Sequence, residues 1–385
     1  MHMTLETLSP LHIGGGAGVL KSFEFLVQKD RMIAVSEDRL VRALAAENLL
    51  EDYIATIDKG LQRFRLGDYL RNRGFDQPNL LSNITRYSCR IADVNGVQDI
   101  RPFIRDAFQR PFIPGTAIKG VLRTAIFYCA IKRMSEDRKK RFLDDPIRRS
   151  LENFKQKNDT RRGTKEWTKK NLFSRQENEF FQNFKTSKDT KKSDPKTDLL
   201  RVLRVSDSKP LERDCAEVRQ AKIFRIQASD NPKGFSIPVE CIPAGITFHI
   251  DWSIDMDLLA RFREQNHTKN DWIPWASLED LVTHPFACAV EMANDVLKHE
   301  SDFFLEAFGE PYPIDPGENF HLGWGGSLLL SSVSFLLPAE LRIEMRNLLF
   351  TDRGDAPAPK SRKRLVDQPN SGTVPGWVKI IAKED

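Results

Sequence analysis

The sequence has 385 residues, a hydrophobic fraction of 40% and a formal net charge of +5, which together indicate a globular chain with a substantial core rather than an intrinsically disordered one. Its five cysteines form no CxxC pair and have no close histidine, so the sequence suggests neither a disulfide framework nor a zinc knuckle and fits a reducing, cytoplasmic environment. With no run of about 18 apolar residues and no charged-then-apolar leader, the sequence predicts neither a membrane span nor export.

The first third of the chain is predicted as strands followed by a helix. Apolar alternation predicts a strand at 3–9 and a hairpin of 23–27 with 31–35. Ser36 is the predicted N-cap of the helix that follows. A further strand is predicted at 86–94.

A Pro-Gly turn at 114–115 opens a helix with two cations on one face. Thr116 can cap this helix, and Lys119 and Arg123 stand one turn apart. Because a helix N-terminus presents unpaired N–H groups and a positive dipole end, the arrangement predicts a phosphate cradle. Gly120 is unfavourable in a helix interior and indicates that something approaches the backbone there. The alternative is an ordinary capped core helix with two solvated cations.

Basic charge is concentrated between Lys132 and Lys196, where 21 lysines and arginines stand against 11 aspartates and glutamates. The segment is poor in aliphatic residues, as is typical of a helical or partly mobile insertion. The alternative interpretation is a solvated charged face, because most runs of charged residues lie on solvent-exposed faces.

The second half is predicted as strands followed by helices and a tail. The β-rich runs are 199–206, 217–227, 235–242 and 246–254. A helical pattern covers 255–310, and the proline, glycine and charge content of 352–373 is typical of a disordered arm. This order of elements favours an α+β fold with helices packed on an antiparallel sheet.

Two glycine loops flank this arrangement. The first, "LHIGGGAGVLKS" at 11–22, suits backbone contact with phosphate, although it is neither a Rossmann fingerprint nor a P-loop, and a flexible hairpin loop is its alternative. The second, "HLGWGGS" at 321–327, contains Trp324, which could stack on a base or fill a core position.

These three elements, "SPLHIGGGAG", "PFIPGTAIKGVLRTA" and "GWGGS", resemble in sequence and order the RAMP superfamily of CRISPR-associated proteins. The central element is similar to the family pattern I-P-G-S-S-x-K-G-x-x-R, with Thr116 and Ala117 where serines are common. Length, "LRVSDS" at 203–208 and the position of "GWGGS" make the terminal, backbone-capping subunit of the type III-A (Csm) effector complex the nearest type. This chain departs from the family pattern at Trp324, where a small or basic residue is expected.

The resemblance implies a ferredoxin-like, RRM-type core of βαββαβ order with a helical insertion and additional antiparallel strands. It implies a non-catalytic subunit without cofactor or metal that binds the 3′ part of the CRISPR RNA guide, caps the backbone filament and supports guide maturation. Its expected partners are the guide, an adjacent backbone RAMP subunit, the small helical subunit of the complex and host nucleases that trim the guide.

On this interpretation the chain divides into an N-terminal part of the core (1–131), the basic insertion (132–197), a C-terminal β-rich and helical part (198–350) and a largely disordered tail (351–385). The candidate RNA-binding residues lie in the two glycine loops and at the start of the central helix: His12, Gly14, Gly15, Gly16, Gly18, Lys21, Thr116, Lys119, Arg123, Gly323, Trp324 and Gly325.

Three other functions stay open. A metal-independent RNA endonuclease would use His12 or His321, at the edges of the glycine loops, for proton transfer. A metal nuclease is disfavoured because no DxD or HD cluster occurs and Asp207 is typical of a turn. In related backbone subunits an aspartate near the first strand cleaves target RNA, and the loop "GGGAGVLKS" has none. A purely protein-binding adaptor in another type III complex is the third.

Overall fold

The computed structural model describes residues 1–16, 18–60, 64–91, 97–156, 162–185, 195–225, 236–266, 272–350, 357–368 and 371–384. The strands are β1 (His2–Thr7), β2 (Leu20–Lys21), β3 (Phe25–Gln28), β4 (Arg31–Val35), β5 (Thr85–Ile91), β6 (Asp99–Ile100), β7 (Leu203–Val205), β8 (Glu217–Arg225), β9 (Ile237–Cys241), β10 (Thr247–Ile254), β11 (Asn319–His321), β12 (Ser361–Gln368), β13 (Ser371–Thr373) and β14 (Trp377–Glu384).

The α-helices are α1 (Glu37–Ala46), α2 (Leu50–Gly60), α3 (Leu66–Asn72), α4 (Pro78–Ile84), α5 (Gly115–Lys132), α6 (Glu136–Lys139), α7 (Asp145–Gln156), α8 (Arg162–Asn171), α9 (Ser174–Phe181), α10 (Met256–Asn266), α11 (Trp275–Thr283), α12 (Pro285–Phe308), α13 (Leu328–Ser331) and α14 (Ala339–Leu349). A π-helical turn, Lys140–Asp144, joins α6 to α7, and 3-10 turns lie at Pro195–Thr197, Leu199–Val202 and Val333–Leu336.

One sheet has five antiparallel strands in the order β11-β14-β1-β10-β7. The chain runs from β1 through α5 to β7, and later from β10 through α12 to β11 and β14. Helices α5 and α12 pack against each other. The alternation predicted for β10 is confirmed, since Phe248 and Ile250 are buried while Thr247 and His249 between them are exposed.

The second sheet has the order β13-β12-β8-β5-β4-β3, with β9 also paired to β8. Its pairs are antiparallel except β5 with β8. Helices α1 to α4 follow β4 and share an apolar cluster with the β3–β4 hairpin that includes Leu26, Val35, Leu44, Tyr53 and Leu70. The fold is therefore α+β, as predicted.

Helix α5 is the central helix of the main core. Its residues Ile118, Leu122, Ile126 and Cys129 are fully buried, because the apolar positions recur every three to four residues on one face. All five cysteines are free thiols. Among the described residues, no helix combines the length and apolarity needed to cross a membrane.

The prediction of a largely disordered tail is wrong for residues 357–368 and 371–384. They contribute β12, which pairs with β8 and with β13, and β14, which pairs with β1 and with β11. The physical reason is that a few apolar residues among the many charged ones pack into the core: Leu365, Trp377 and Val378 are fully buried. Residues 351–356 and 369–370 lie outside the described residues.

Smaller differences concern element ends and the insertion. The first half of the run predicted as a strand at 199–206 is a 3-10 turn, and β7 is only its second half. Within 132–197, the described residues contain α6 to α9 and two short turns, while 157–161 and 186–194 lie outside them. The predicted strand ends at 92–94, 226–227 and 235 also lie outside the described residues.

Candidate nucleic-acid interface

The two glycine loops meet. The backbone N–H of Trp324 donates to the carbonyl of His12 at 2.8 Å. Gly323 has φ +76°, and a Cβ on it would lie 2.4 Å from that same carbonyl oxygen. Only glycine fits this close approach, so the glycine content of the second loop is what allows it to join the first.

A turn in the tail completes the junction. Leu322 donates its N–H to the carbonyl of Gly376 at 2.7 Å, and Gly376 donates to Pro10 at 3.0 Å. Gly325, at φ +116°, lies so close to Pro375 that a Cβ would be 2.3 Å from its Cγ. Three segments that are remote in sequence therefore meet in what we call the glycine junction: residues 10–16 with Gly18, 321–327 and 374–377.

The first glycine loop is open on its outer side. Gly14, Gly16 and Gly18 are exposed. A Cβ on Gly15 would only touch Ile104 at 3.7 Å, and one on Gly16 or Gly18 would meet nothing within 4 Å. Gly18 has φ +78°. The backbone of this loop is therefore accessible to another molecule along most of its length; Ala17 lies outside the described residues.

Trp324 carries two cations. Its half-buried ring packs against a small cluster that contains Val239 and Leu365. The Arg101 guanidinium lies 5.8 Å and the Lys363 ammonium 4.7 Å from the ring centroid, within cation–π range. Burial, and secondarily the charge of Arg101, lowers the pKa of Lys363. One side of the ring therefore packs against the core, as the core alternative expected, and two cations lie beside it.

A buried carboxylate fixes the segment that carries Arg101. Glu240 is fully buried and accepts hydrogen bonds from the Tyr87 hydroxyl at 2.5 Å and the Phe103 N–H at 3.0 Å. Arg105 pairs with the same carboxylate at 3.3 Å. The N–H of Arg101 donates to the carbonyl of Pro238 at 2.9 Å, and the N–H of Glu240 donates to the carbonyl of Arg101 at 2.9 Å. A buried carboxylate is stable only with such partners, so these contacts fix the position of residues 101–105 beside the first glycine loop.

The two histidines of the loops are packing residues in this geometry. His12 is buried, donates from Nδ1 to the carbonyl of Glu240 at 2.7 Å and packs edge-on against Trp324. His321 donates from Nε2 to the carbonyl of Pro375 at 3.1 Å. Burial lowers the pKa of His12, and burial lowers the pKa of His321 to about 4. Both rings are therefore neutral near pH 7.

The Pro-Gly turn holds a carboxylate of the chain itself. The N–H of Gly115 donates to Oδ1 of Asp207 at 2.8 Å. A Cβ on Gly115 would lie 2.3 Å from the carbonyl oxygen of Val205, so glycine is required for this contact as well. Ser208 donates to the carbonyl of Ile113 at 2.9 Å. The predicted phosphate position at the helix N-terminus is thus occupied by Asp207.

The two cations of α5 also have internal partners. The Lys119 ammonium donates to the carbonyl of Leu203 at 2.7 Å, and burial lowers its pKa. Arg123 pairs with Glu177 at 2.5 Å and with Asp198 at 2.8 Å. A phosphate would have to compete with these contacts at both cations.

The remaining candidates lie at the surface. Thr116 and Gly120 are exposed on α5, and a Cβ on Gly120 meets nothing within 4 Å. The predicted close approach to Gly120 therefore does not come from the described part of this chain. Lys21 donates to Asp99 at 2.9 Å in an exposed ion pair.

Sequence reasoning missed Arg101, Lys363 and the tail turn. A signal for Lys363 exists in the alternation of β12, where Arg362 and Arg364 are buried and paired with Glu300 and Glu310 while Lys363 is on the other face. Within the described residues, no group of three or more His, Cys, Asp or Glu side chains is arranged to hold a metal ion.

Fold and site together define an α+β protein in which two glycine loops and a C-terminal turn close around a cation-flanked tryptophan. The chain belongs to the RAMP superfamily, whose sequence profile matches residues 4–284. It resembles Csm5 proteins. The CRISPR system Cms protein Csm5 of Streptococcus thermophilus is 24% identical over 143 residues, covering 35% of this chain and 40% of that protein. The match thus spans less than half of that relative's length.

Two solved structures share the fold. A chain of the cryo-EM structure of a Csm–crRNA–target RNA ternary complex of a type III-A CRISPR-Cas system superposes with a TM-score of 0.70 at 22% identity, covering 99% of this chain and 100% of that one. The crystal structure of T. onnurineus Csm5 has a TM-score of 0.59 at 21% identity and covers 98% and 100%.

Proposed function

We propose that this chain is a non-catalytic, RNA-binding structural subunit of a type III-A Csm effector complex. It binds the 3′ part of the guide RNA, caps the filament of backbone subunits and supports guide maturation. The observation that carries the proposal is the glycine junction with Arg101 and Lys363 beside Trp324 in a RAMP protein. The likeness to Csm5 and to a chain of a Csm–crRNA complex supports the assignment to this type of complex.

The chemistry of the junction suits single-stranded RNA. Exposed loop backbone can donate N–H groups to phosphate, and the two cations neutralise backbone charge. The Trp324 ring offers a surface on which an unstacked base can lie. Lys21, Thr116, Lys119 and Arg123 remain candidates, although their side chains, apart from the exposed Thr116, have internal partners.

The proposed core is ferredoxin-like. The path β1-α5-β7-β10-α12-β14, with sheet order β14-β1-β10-β7 and antiparallel neighbours, follows the βαββαβ scheme. On this proposal the second sheet, helices α1 to α4 and the insertion 132–197 are elaborations. Their surfaces, which include the exposed side chain of Trp167 on α8, are available to an adjacent backbone subunit, to the small helical subunit and to trimming nucleases.

Fluorescence anisotropy of a labelled single-stranded RNA at several salt concentrations tests the RNA-binding part. Arg101→Gln is expected to lower the affinity and to reduce the slope of log K against log salt by about 0.7, the share of one phosphate contact on a single strand. The matched control is Arg71→Gln, another exposed arginine, on α3, which should leave affinity and slope unchanged.

Two results contradict the proposal. If the wild-type chain shows no salt-sensitive binding, the protein is better explained as a protein-binding adaptor. If Arg101→Gln and Arg71→Gln behave alike while the wild type binds, RNA lies elsewhere on the surface.

The non-catalytic part has its own experiment. A labelled guide precursor incubated with the purified chain and EDTA should stay intact. Discrete products that are absent with a His12→Ala, His321→Ala double variant would identify a metal-independent endonuclease instead.

A further inference from the structure

A cavity of about 270 Å³ lies behind the second glycine loop. Its walls are the loop residues 325–328, residues Arg342, Met345 and Arg346 on α14, and residues 358–363, which lead into and begin β12. The volume is just below the range of roughly 300–1,000 Å³ typical of small-molecule sites, so it suits one small ligand rather than a length of chain.

The cavity wall is strongly basic. Five of its residues are cationic, and none of the described lining residues is acidic: Arg342, Arg346, Lys360, Arg362 and Lys363. Arg362 pairs with the buried carboxylate of Glu300 at 2.6 Å. A surplus of positive charge around a confined space favours an anionic ligand.

Two buried polar atoms of lining residues have no partner. They are Nε of Arg342 and the hydroxyl Oγ of Ser327. Arg342 is held in place because its Nη1 donates to the carbonyls of Phe335 and Leu337, each at 2.9 Å. A buried unpaired donor costs about 1–3 kcal/mol, and an acceptor in the cavity would remove that cost for both groups.

The rest of the wall is apolar. Ile223, Leu328 and Met345 line the same space. A ligand that fits therefore has an anionic end and an apolar or aromatic body, which is the combination that a nucleotide presents. Lys363 belongs both to the cavity wall and to the cation pair beside Trp324, so the cavity adjoins the glycine junction.

We propose that this cavity binds one nucleotide, with its phosphate oxygens accepting hydrogen bonds from Arg342 and Ser327 and its base against Leu328 and Met345. The proposal rests on the proposed function in one respect, that a bound RNA strand is one source of the nucleotide. A free mononucleotide is the other source, and the chemistry of recognition is the same for both.

Calorimetric titration of the full-length chain with AMP, adenosine and inorganic phosphate tests the cavity. AMP is expected to bind at least about tenfold more tightly than adenosine, because a charge-assisted hydrogen bond to phosphate is worth about that factor or more. Arg342→Gln should weaken AMP binding about tenfold and Ser327→Ala about threefold, whereas the control Arg71→Gln should not change it.

Folding is checked separately, because Arg342 also holds two carbonyls. Thermal melts identify a destabilised Arg342→Gln protein, and Ser327→Ala, which removes only a hydroxyl without a partner, then decides the test. Arg342→Lys should recover part of the AMP affinity. The proposal is overturned if AMP binds no more tightly than adenosine, or if Ser327→Ala and Arg342→Gln bind AMP like Arg71→Gln.

Competition with a single-stranded RNA identifies the source. If the RNA displaces AMP, a nucleotide of the strand occupies the cavity; if both bind together, the cavity serves a free mononucleotide, and either result supports the site. If the wild-type protein binds AMP but does not bind RNA, the proposed function is wrong and the cavity proposal stands. If the protein binds RNA in a way that depends on Arg101 but does not bind AMP, the cavity proposal is wrong and the proposed function stands.

Discussion

His321 shows how a single side chain fixes the glycine junction. Its ring is buried so tightly between Gly326 and Gly376 that a Cβ on either glycine would lie within 2.7 Å of it. It packs edge-on against Trp377, and Lys363 is the charged group that acts on it electrostatically. The ring must be neutral in this space, because a buried imidazolium without a carboxylate partner is costly.

This burial predicts a loss of stability in mild acid. The folded pKa of His321, about 4, lies below the value of 6.5 for a free histidine. Between these values the unfolded state binds more protons, so the contribution is complete above about pH 6.5 and is lost as pH falls toward 4. The loss should reach about 3 kcal/mol.

Urea unfolding at pH 7, 6, 5 and 4.5 measures this effect. The His321→Gln protein should be less stable than the wild type at pH 7, but its unfolding free energy should fall less steeply as the pH is lowered, because it lacks the imidazole. The carboxylates titrate in both proteins, so the difference between the two slopes reports His321. Equal slopes for the two proteins would show that His321 does not dominate the window.

At the same scale, sequence reasoning found Trp324 and its loop but not the cations beside it. Trp324 and Arg101 are separated by more than 200 residues, and no local pattern connects them. The glycines can be read from the sequence, but the group that packs closely against each one cannot. The contact of the His12 carbonyl with Gly323, for example, follows only from the packed structure.

Helix α5 illustrates the element scale. Its presence and buried face followed from the 3.6-residue periodicity and the Pro-Gly turn, but its start did not: Thr116 was the predicted cap, whereas the helix begins at Gly115 with Pro114 at the N-cap position. The partner of its N-terminus could not be predicted, because Asp207 lies 92 residues away and many carboxylates could serve. Sequence alone therefore located a site that favours negative charge but not what fills it.

The cap predicts a measurable cost. Asp207→Ala should lower the free energy of unfolding by about 1 kcal/mol, since it removes both the hydrogen bond to the Gly115 N–H and the negative charge at the helix N-terminus. Chemical denaturation at pH 7 and low salt measures the change. Asp68→Ala is the control: Asp68 also lies in the first turn of a helix, α3, where it forms an exposed pair with Arg71 at 3.5 Å, and its loss should cost about 0.5 kcal/mol or less.

A cost for Asp207→Ala no larger than that of the control would mean that solvent satisfies the helix N-terminus equally well. In that case the close approach of Gly115 to Val205, rather than the carboxylate, would account for the geometry of the turn.

At the scale of the whole molecule, the C-terminal segment connects the two sheets. β14 lies between β1 and β11 in one sheet, and β12 lies between β13 and β8 in the other. Composition predicted disorder here because turn-forming and charged residues outnumber the apolar ones. A strand that completes an existing sheet needs few apolar residues of its own, since the sheet supplies most of the contact surface.

Trp377 is the residue on which this connection depends. It is fully buried, its indole N–H donates to the Tyr312 hydroxyl at 3.0 Å, and its backbone N–H donates to Ser9 at 3.0 Å. Trp377→Ala should lower the free energy of unfolding by about 3–5 kcal/mol, the usual cost of truncating a large buried aromatic side chain.

Urea denaturation measures the effect, with Trp167→Ala as the matched control. Trp167 is 67% exposed on α8, so the same truncation there should cost about 0.5 kcal/mol or less. Because the glycine junction includes residues 374–377, Trp377→Ala should also weaken RNA binding under conditions where the protein is still folded. A Trp377→Ala protein as stable as Trp167→Ala would mean that β14 is not part of the cooperative core, and the junction would then lack its third segment.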